Sequence, residues 1–337
     1  MVSKQFIIKR LLLLVPVLLG VATLVFAILH LSPGDPARVI AGERASQAFV
    51  ERIREDLGLN DPIWVQYGRF LLDTATLDFG RSYIVRDGTP VLEVLRTRFP
   101  VTLELAVLGQ LFGIVFGIPL GILSAVKQDS LTDHLTRVGA LTGISVPIFW
   151  SGPLLILLFA VQLGVLPTSG RIGYGYSIPA VTGLLTIDTL IAGDLDAFAS
   201  TVRHLFLPAV VIGVYAMALI SRMMRSSMLE VVRQDYMRTA RAKGQGAKIT
   251  VMKHGFKNAL IPVITVIGIQ FGSLLGGAVL TETVFNIPGI GTLLVEAINT
   301  GDYPLVQGTV LLFALLFTLV NLGVDITYSY LDPRIDQ

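Results

Sequence analysis

The sequence predicts an all-α integral membrane protein with six transmembrane helices, and three observations carry that prediction. Charged residues occupy only 15% of the 337 positions, apolar ones 53%, and the mean hydropathy is +0.72. Soluble domains carry about 25% charge, so this chain lacks the polar surface to keep a core of its size in water. The second observation is a set of six long runs free of Asp, Glu, Lys and Arg. The third is the gathering of Lys and Arg on particular connections, which orients the runs.

Each run is measured against the roughly 20 residues that cross about 30 Å of hydrocarbon as a helix. They are Leu11 to Gly34 (24 residues), Leu105 to Val126 (22), Val138 to Gly170 (33), Leu205 to Ser221 (17), Asn258 to Thr281 (24) and Tyr303 to Val324 (22). A seventh stretch, Ile172 to Ile187, is 16 residues long and is broken by Gly173, Gly175, Pro179 and Gly183. It reads as an interfacial or re-entrant part of an extracytoplasmic loop. The first run has the basic flank of a signal peptide, but it is long, and Ala27-Ile28-Leu29-His30 offers no small-residue cleavage site. It is expected to be a retained helix.

Lys4, Lys9 and Arg10 place the N-terminus in the cytoplasm. The connection 222–257 carries nine Lys or Arg against Glu230 and Asp235, and counting six spans from an inside start puts it inside as well. Both termini are then cytoplasmic. The organisation expected is a first span with its cytoplasmic end (1–34), an extracytoplasmic segment (35–99), a five-span core (100–331) containing the 222–257 connection, and a short cytoplasmic tail (332–337).

The 35–99 segment is mixed in sign, with nine Arg against ten acids through Arg98. Ser46 reads as the N-cap of a short helix with Phe49, Ile53 and Leu57 on one face and Gly58 as its stop. Asp61-Pro62 reads as N-cap and first helical position of a second, with Trp64, Tyr67 and Leu71 aligned. These two amphipathic helices either pack on the span ends or form a docking surface for an external partner.

Several chemistries are excluded or unsupported. With no cysteine there is no disulfide framework and no thiolate metal or redox site. The four histidines, His30, His134, His204 and His254, are far apart. An integral membrane enzyme would need a nucleophile with a base, or paired carboxylates, and no span holds either. A proton-coupled carrier would need acids within the spans, whereas Glu104, Glu282 and Asp325 all sit near run ends.

The basic connection has a pattern beyond topology. Leu229, Val232, Tyr236 and Ala240 form a helical stripe, with Gln234, Arg238 and Arg241 on another face. Gly244 and Gly246 interrupt, and Ile249, Met252 and Phe256 start a second stripe. The product is a helix, glycine turn and helix at the membrane surface, with Gly244 expected at positive φ. Small Ala240 and Ala242 beside the turn permit close approach of another protein.

The run Asp235-Tyr236-Met237-Arg238-Thr239-Ala240-Arg241-Ala242-Lys243-Gly244, followed by His254 and Asn258-Ala259-Leu260-Ile261-Pro262, resembles the EAA loop of ATP-binding-cassette importer permeases. In the general motif Glu-Ala-Ala is followed after three residues by Gly. Arg238, Thr239 and Ala240 hold those places here, as is usual in the dipeptide, oligopeptide and nickel branch. Four further segments extend the resemblance along the chain: Pro33-Gly34-Asp35-Pro36, Asp78-Phe79-Gly80-Arg81-Ser82, Phe285-Asn286-Ile287-Pro288-Gly289-Ile290-Gly291 and Leu331-Asp332-Pro333-Arg334-Ile335.

The resemblance implies a multi-pass permease in the cytoplasmic membrane of a prokaryote, forming the translocation pore with a second homologous permease subunit. Two cytoplasmic ATPase subunits would drive it and an extracytoplasmic binding protein would deliver substrate; no nucleic acid is involved. Asp235, Tyr236, Arg238, Thr239, Ala240, Arg241, Ala242, Lys243 and Gly244 would form the ATPase-coupling hairpin. The chain has no Gly-Lys-Ser or Gly-Lys-Thr, so no cofactor is expected on it, and ATP and Mg belong to the partner subunits. Peptides are the expected cargo, with nickel complexes or oligosaccharides on the same architecture as the alternative.

Three features of the spans complete the reading. Gly109, Gly113, Gly117 and Gly121 recur every four residues, as do Gly268, Gly272 and Gly276, and such seams are expected to pack helices closely. Gln110, Gln162, Thr265, Gln270, Ser273 and Asn321 are candidates to line a water-filled path, each also able to serve as an interhelical hydrogen bond. Pro262 either permits a bend in the fifth span or sits harmlessly in its first turn.

Overall fold

In hydrocarbon the backbone must satisfy its own polar groups, and a single apolar run does that only as a helix. The computed structural model, which describes residues 4–31, 35–42 and 45–331, is accordingly helical, with no strand among the described residues. Five helical stretches are long and apolar enough to cross a membrane: Ile8–Ile28, Val91–Val126, Leu195–Val232, Ala247–Gly276 and Tyr303–Val324. A sixth exists if the bent pair Leu131–Ser145 and Ile148–Gln162 is one span.

That pair corrects the expectation of a single run from Val138 to Gly170. Helix α6 (Leu131–Ser145) stops before Pro147, which caps α7 (Ile148–Leu155) and its π-helical extension Ile156–Gln162, and the two halves meet at 105°. Proline pushes the preceding residue out of the helical region, and Val146 is extended (φ −80°, ψ 120°).

Two long helices organise the rest. Helices α5 (Val91–Val126, 36 residues) and α9 (Leu195–Val232, 38 residues) each run about 55 Å, well beyond the hydrocarbon thickness. Helix α5 therefore continues unbroken across residue 99, where the extracytoplasmic segment was expected to end. The glycine seam lies between these helices: a Cβ at Gly109, Gly113, Gly117 or Gly121 would meet Ile212, Ala216, Ile220 or Met224 of α9 at 2.5 to 3.0 Å. Each side repeats every four residues, so the ridges of one helix enter the grooves of the other. The second seam is shorter. Gly268 meets Val324 and Gly272 meets Phe317 across α12 (Phe256–Val284) and α14 (Tyr303–Leu331), while nothing approaches Gly276 within 4 Å.

Between the first and second spans, α2 (Pro36–Ala41) and α3 (Gln47–Asp56) make a small core of Ala37, Val50 and Ile53. Ser46 caps α3 as expected, accepting from the Phe49 amide at 3.3 Å, but Phe49 itself points outward. Helix α4 (Ile63–Ala75) begins after Pro62 without a side-chain cap, one residue later than expected, and Asp61 instead pairs with Arg69 at 2.9 Å. Helix α4 rests on the outer end of α1 (Lys4–Leu31): the Tyr67 hydroxyl is 2.7 Å from that of Thr23, and Gln66 Oε1 is 3.0 Å from His30. Trp64 is left exposed.

The 163–184 loop is neither helical nor loose. Buried Glu104 of α5 accepts from Arg171 at 2.5 Å and from the amide and hydroxyl of Thr186, and the Gly170 amide donates to the Phe285 carbonyl. A short helix, α8 (Leu185–Ile191), follows.

Candidate functional site

The hairpin between α9 and α12 is built from two arms. Helix α9 ends at Val232 and α10 (Asp235–Ala242) starts afresh after Arg233-Gln234, so Leu229 and Tyr236 do not share one continuous helix as the stripe suggested. The buried anchor is Met237, which sequence periodicity missed; its Cε methyl and that of Met228 close over Gly255. Gly244 has φ +82°, the left-handed geometry expected of the turn. The second arm is α11 (Ala247–Ile249) continued by a π-helical turn, Thr250–Gly255, into α12. Pro262 consequently lies well inside a continuous helical stretch, not in a first turn.

Cross-links hold the arms in register. Asn258 Nδ2 donates to the Tyr236 hydroxyl at 2.9 Å, His254 Nε2 is 2.9 Å from Gln245 Oε1, and the Thr250 hydroxyl donates to the Gly246 carbonyl at 3.1 Å. What remains is a presented surface. Asp235, Arg238, Thr239, Arg241, Ala242, Lys243 and Gly244 are exposed, Ala240 is half-buried, and Arg238 reaches Asp235 at 3.8 Å. Ile249 and Met252 of the second stripe are exposed at 56% and 46% and give the second arm an apolar outer face. The hairpin thus offers cations and apolar side chains side by side on a braced scaffold, the composition of a docking surface.

Above the hairpin a buried ion pair, invisible in the sequence, ties α6 to α9. Arg225 grips Asp133 through Nε at 2.7 Å and Nη2 at 2.8 Å, and Asp133 also accepts from Ser124 Oγ and the Asp129 amide. On the opposite side Glu282, buried at the end of α12, accepts from Thr102 Oγ1 at 2.6 Å and the Thr292 amide at 3.0 Å. The Phe285 to Gly291 motif wraps this carboxylate at the start of α13 (Ile290–Thr300), and a Cβ at Gly289 would collide with Glu282 Oε1. The Asp78 to Ser82 motif is fixed likewise, Ser82 Oγ and the Ile84 and Val85 amides all donating to buried Asp302. Pro33 and Gly34 of the first motif, and Asp332 to Ile335 of the last, lie outside the described residues.

The six pathway candidates sit in different surroundings on α5, the π-helical extension of α7, α12 and α14. Gln110 is buried in α5 with neither amide atom bonded, Thr265 Oγ1 is also unpaired, and Gln270 is buried in α12 with Nε2 unpaired. Ser273 is exposed and bonds back to the Ile269 carbonyl, Gln162 is exposed at the end of the π-helical turn, and Asn321 is half-buried in α14. Gln270 lines a cavity between α9 and α12.

Among the described residues the buried acids are all engaged in structure, and the helical bundle presents a braced basic hairpin on one connection, as a transport component of the membrane would. The chain belongs to the binding-protein-dependent transport system inner membrane components: residues 117–337 match that family and residues 3–106 match its N-terminal region. The resemblance to ABC importer permeases drawn from the motifs therefore holds. The chain is 49% identical to a dipeptide transport system permease protein of Alkalihalophilus pseudofirmus, over 97% of this chain and 98% of that one. It is 48% identical to a di/tripeptide transport system permease protein of Pseudomonas aeruginosa and 46% to a dipeptide transport system permease protein of Escherichia coli, each over 98% of both chains. Among solved structures, an inward-facing methionine ABC transporter shares the fold at a TM-score of 0.51 and 18% identity, covering 72% of this chain and 97% of that one.

Proposed function

We propose that this chain is a pore-forming permease subunit of an ABC importer that carries dipeptides and short oligopeptides into the cytoplasm. The observation that carries the reading is the 46–49% identity, over nearly the whole of both chains, to permeases named for dipeptide transport. Chains that similar share the architecture of the path as well as the fold. A second homologous permease completes the pore, two ATPase subunits supply ATP hydrolysis, and an external binding protein delivers cargo. The chain itself is a transport subunit and not an enzyme, and ATP and Mg act on the partners.

The hairpin 235–244 is the coupling element of this proposal. It hangs between α9 and α12, so a docked motor that shifts it tilts both helices, and the Asp133–Arg225 pair passes the tilt of α9 to α6. Both termini and the hairpin face the cytoplasm, and α2 to α4 face the binding protein. The test is reconstitution of the whole transporter in vesicles with its binding protein outside and ATP inside. Uptake of radiolabelled dialanine that requires both is the expected result. Uptake of a nickel complex or an oligosaccharide in its place would move the cargo assignment to the alternative.

A further inference from the structure

Helix α4 has three edges, distinguished by what their side chains meet. One edge packs on α1: Gln66 reaches His30, the Tyr67 ring meets Phe26 edge-on with centroids 5.2 Å apart, and the Phe70 ring centroid lies 5.5 Å from that of Phe26. A second edge is charged, with Asp73 and with Arg69, which pairs with Asp61. The third is apolar. Trp64, Gly68, Leu71, Leu72 and Ala75 follow one another at i, i+4, i+7, i+8 and i+11, and Trp64 and Leu72 are 73% and 70% exposed. At about 100° of turn per residue, the apolar and charged edges lie on opposite sides of the α1 contact.

Two contacts fix which way the apolar edge looks. Gln66 meets α1 at His30, just past the end of the apolar span Ile8–Ile28, whereas Tyr67 meets it at Thr23, inside that span. Thr23 is about 10 Å farther down the α1 axis than His30. Turning around α4 from Gln66 to Tyr67 therefore leads deeper along the span, and continuing in the same sense leads to Leu71, Trp64 and Ala75. The opposite sense leads to Asp73 and Arg69, away from the span. The hydrogen bonding at Thr23 suits this depth. Its hydroxyl donates to the Leu19 carbonyl at 2.7 Å, so the Tyr67 hydroxyl, 2.7 Å away, is left to donate to Thr23, and both protons are used without water. Leu24 and Ile28, on the same stretch of α1, are exposed as well, so the apolar edge of α4 continues the surface of a membrane-spanning helix.

We propose that α4 is an interfacial helix, lying along the boundary between headgroups and acyl chains in the leaflet at the Leu31 end of α1. Trp64, Leu71, Leu72 and Ala75 turn into lipid, and Arg69 and Asp73 turn to water. Amphipathic helices of this kind bury their apolar face roughly 5–10 Å into that boundary, and Tyr67 reaches α1 about 7.5 Å inside the span end. A tryptophan ring at this level has lipid for its apolar body and headgroups for its N–H. The bonds from Gln66 to the Leu59 and Asp61 carbonyls tie the turn after α3 to the same level, so α4 anchors the α2–α3 unit to the bilayer surface.

The chain has no native cysteine, so single substitutions can place a nitroxide spin label on chosen edges of α4. The labels are read in the assembled transporter in phosphatidylcholine vesicles, with any cysteines of the other subunits replaced. Power saturation compares collisions with oxygen, which concentrates in lipid, and with a nickel chelate that stays in water. The ratio of oxygen to nickel accessibility should be about tenfold higher at Leu72→Cys than at Asp73→Cys, its neighbour on the charged edge. Ala75→Cys should behave as Leu72→Cys does, which preserves the comparison if one variant fails to insert. Equal ratios on the two edges would overturn the proposal. It is equally overturned if the label on the apolar edge is open to nickel and becomes shielded when loaded binding protein is added, which assigns the edge to that partner. A label closed to both reagents in the vesicles also overturns it and assigns the edge to the second permease.

Discussion

Arg225 and Asp133, 92 positions apart, meet through two hydrogen bonds of 2.7 and 2.8 Å, and the carboxylate is wholly buried while the guanidinium keeps partial contact with solvent. The pair fastens the turn between α5 and α6 to α9, about two helical turns before that helix ends at the 235–244 hairpin. Removing one member of such a pair leaves the other uncompensated, and the loss exceeds the net worth of the bridge. Asp133→Ala should therefore destabilise the protein by about 2–4 kcal/mol, read as a lower aggregation temperature in detergent. A charge-swapped double variant should recover part of the loss, and recovery of none would show that Ser124 and the Asp129 amide hold the site alone.

Gly113 tests the α5–α9 seam. A Cβ there would sit 2.8 Å from Ala216 Cβ and 3.1 Å from the Met217 amide nitrogen, and overpacking of this kind costs about 1–3 kcal/mol. Gly113→Val should lower the yield of folded protein in the membrane, and Gly276→Ala, with open space around it, should not. Equal yields would remove the seam from the account.

Gly244 separates folding from coupling. Its φ of +82° disfavours a β-branched residue by about 1 kcal/mol or more, yet nothing lies within 4 Å of an added Cβ. Gly244→Val should insert normally and give uncoupled transporters, with ATP hydrolysis no longer stimulated by loaded binding protein. Gly244→Asn, which tolerates the left-handed region, should retain coupling.

Asp188 offers a pH test at the start of α8. Burial favours its neutral acid, but hydrogen bonds from the Thr182 hydroxyl and amide and from the Gly183 amide outweigh that effect and hold the carboxyl below its usual range. A depressed value means that the stabilisation is fully present above the ordinary carboxylate range and is lost as pH falls through the lower, folded value. Hydrogen-exchange protection of residues 182–190, corrected for intrinsic rates, should be flat from pH 7 to 5. Asp188→Asn should lower it across that range.

Orientation is tested by the same cysteine-free background. Single cysteines at Ser46 and Gln245 should react with an impermeant thiol reagent from outside and inside respectively. Labelling of position 245 from outside would invert the arrangement and disqualify the hairpin as a motor contact.

Five of the span positions, the basic connection, the α5 glycine seam and the left-handed Gly244 were readable from residue order. They depend on hydropathy, helical period and local backbone freedom, which neighbours along the chain impose. The 105° break at Pro147 hid inside an apolar run of 33 residues because hydropathy does not register direction. Met237 was passed over for Tyr236 because the helix restarts at Asp235 and resets the phase of the stripe. Pairings such as Asp133 with Arg225, Ser82 with Asp302 and Thr102 with Glu282 span 92 to 220 residues. Each exists only once packing has excluded water from a polar group, which must then find its partner across the bundle.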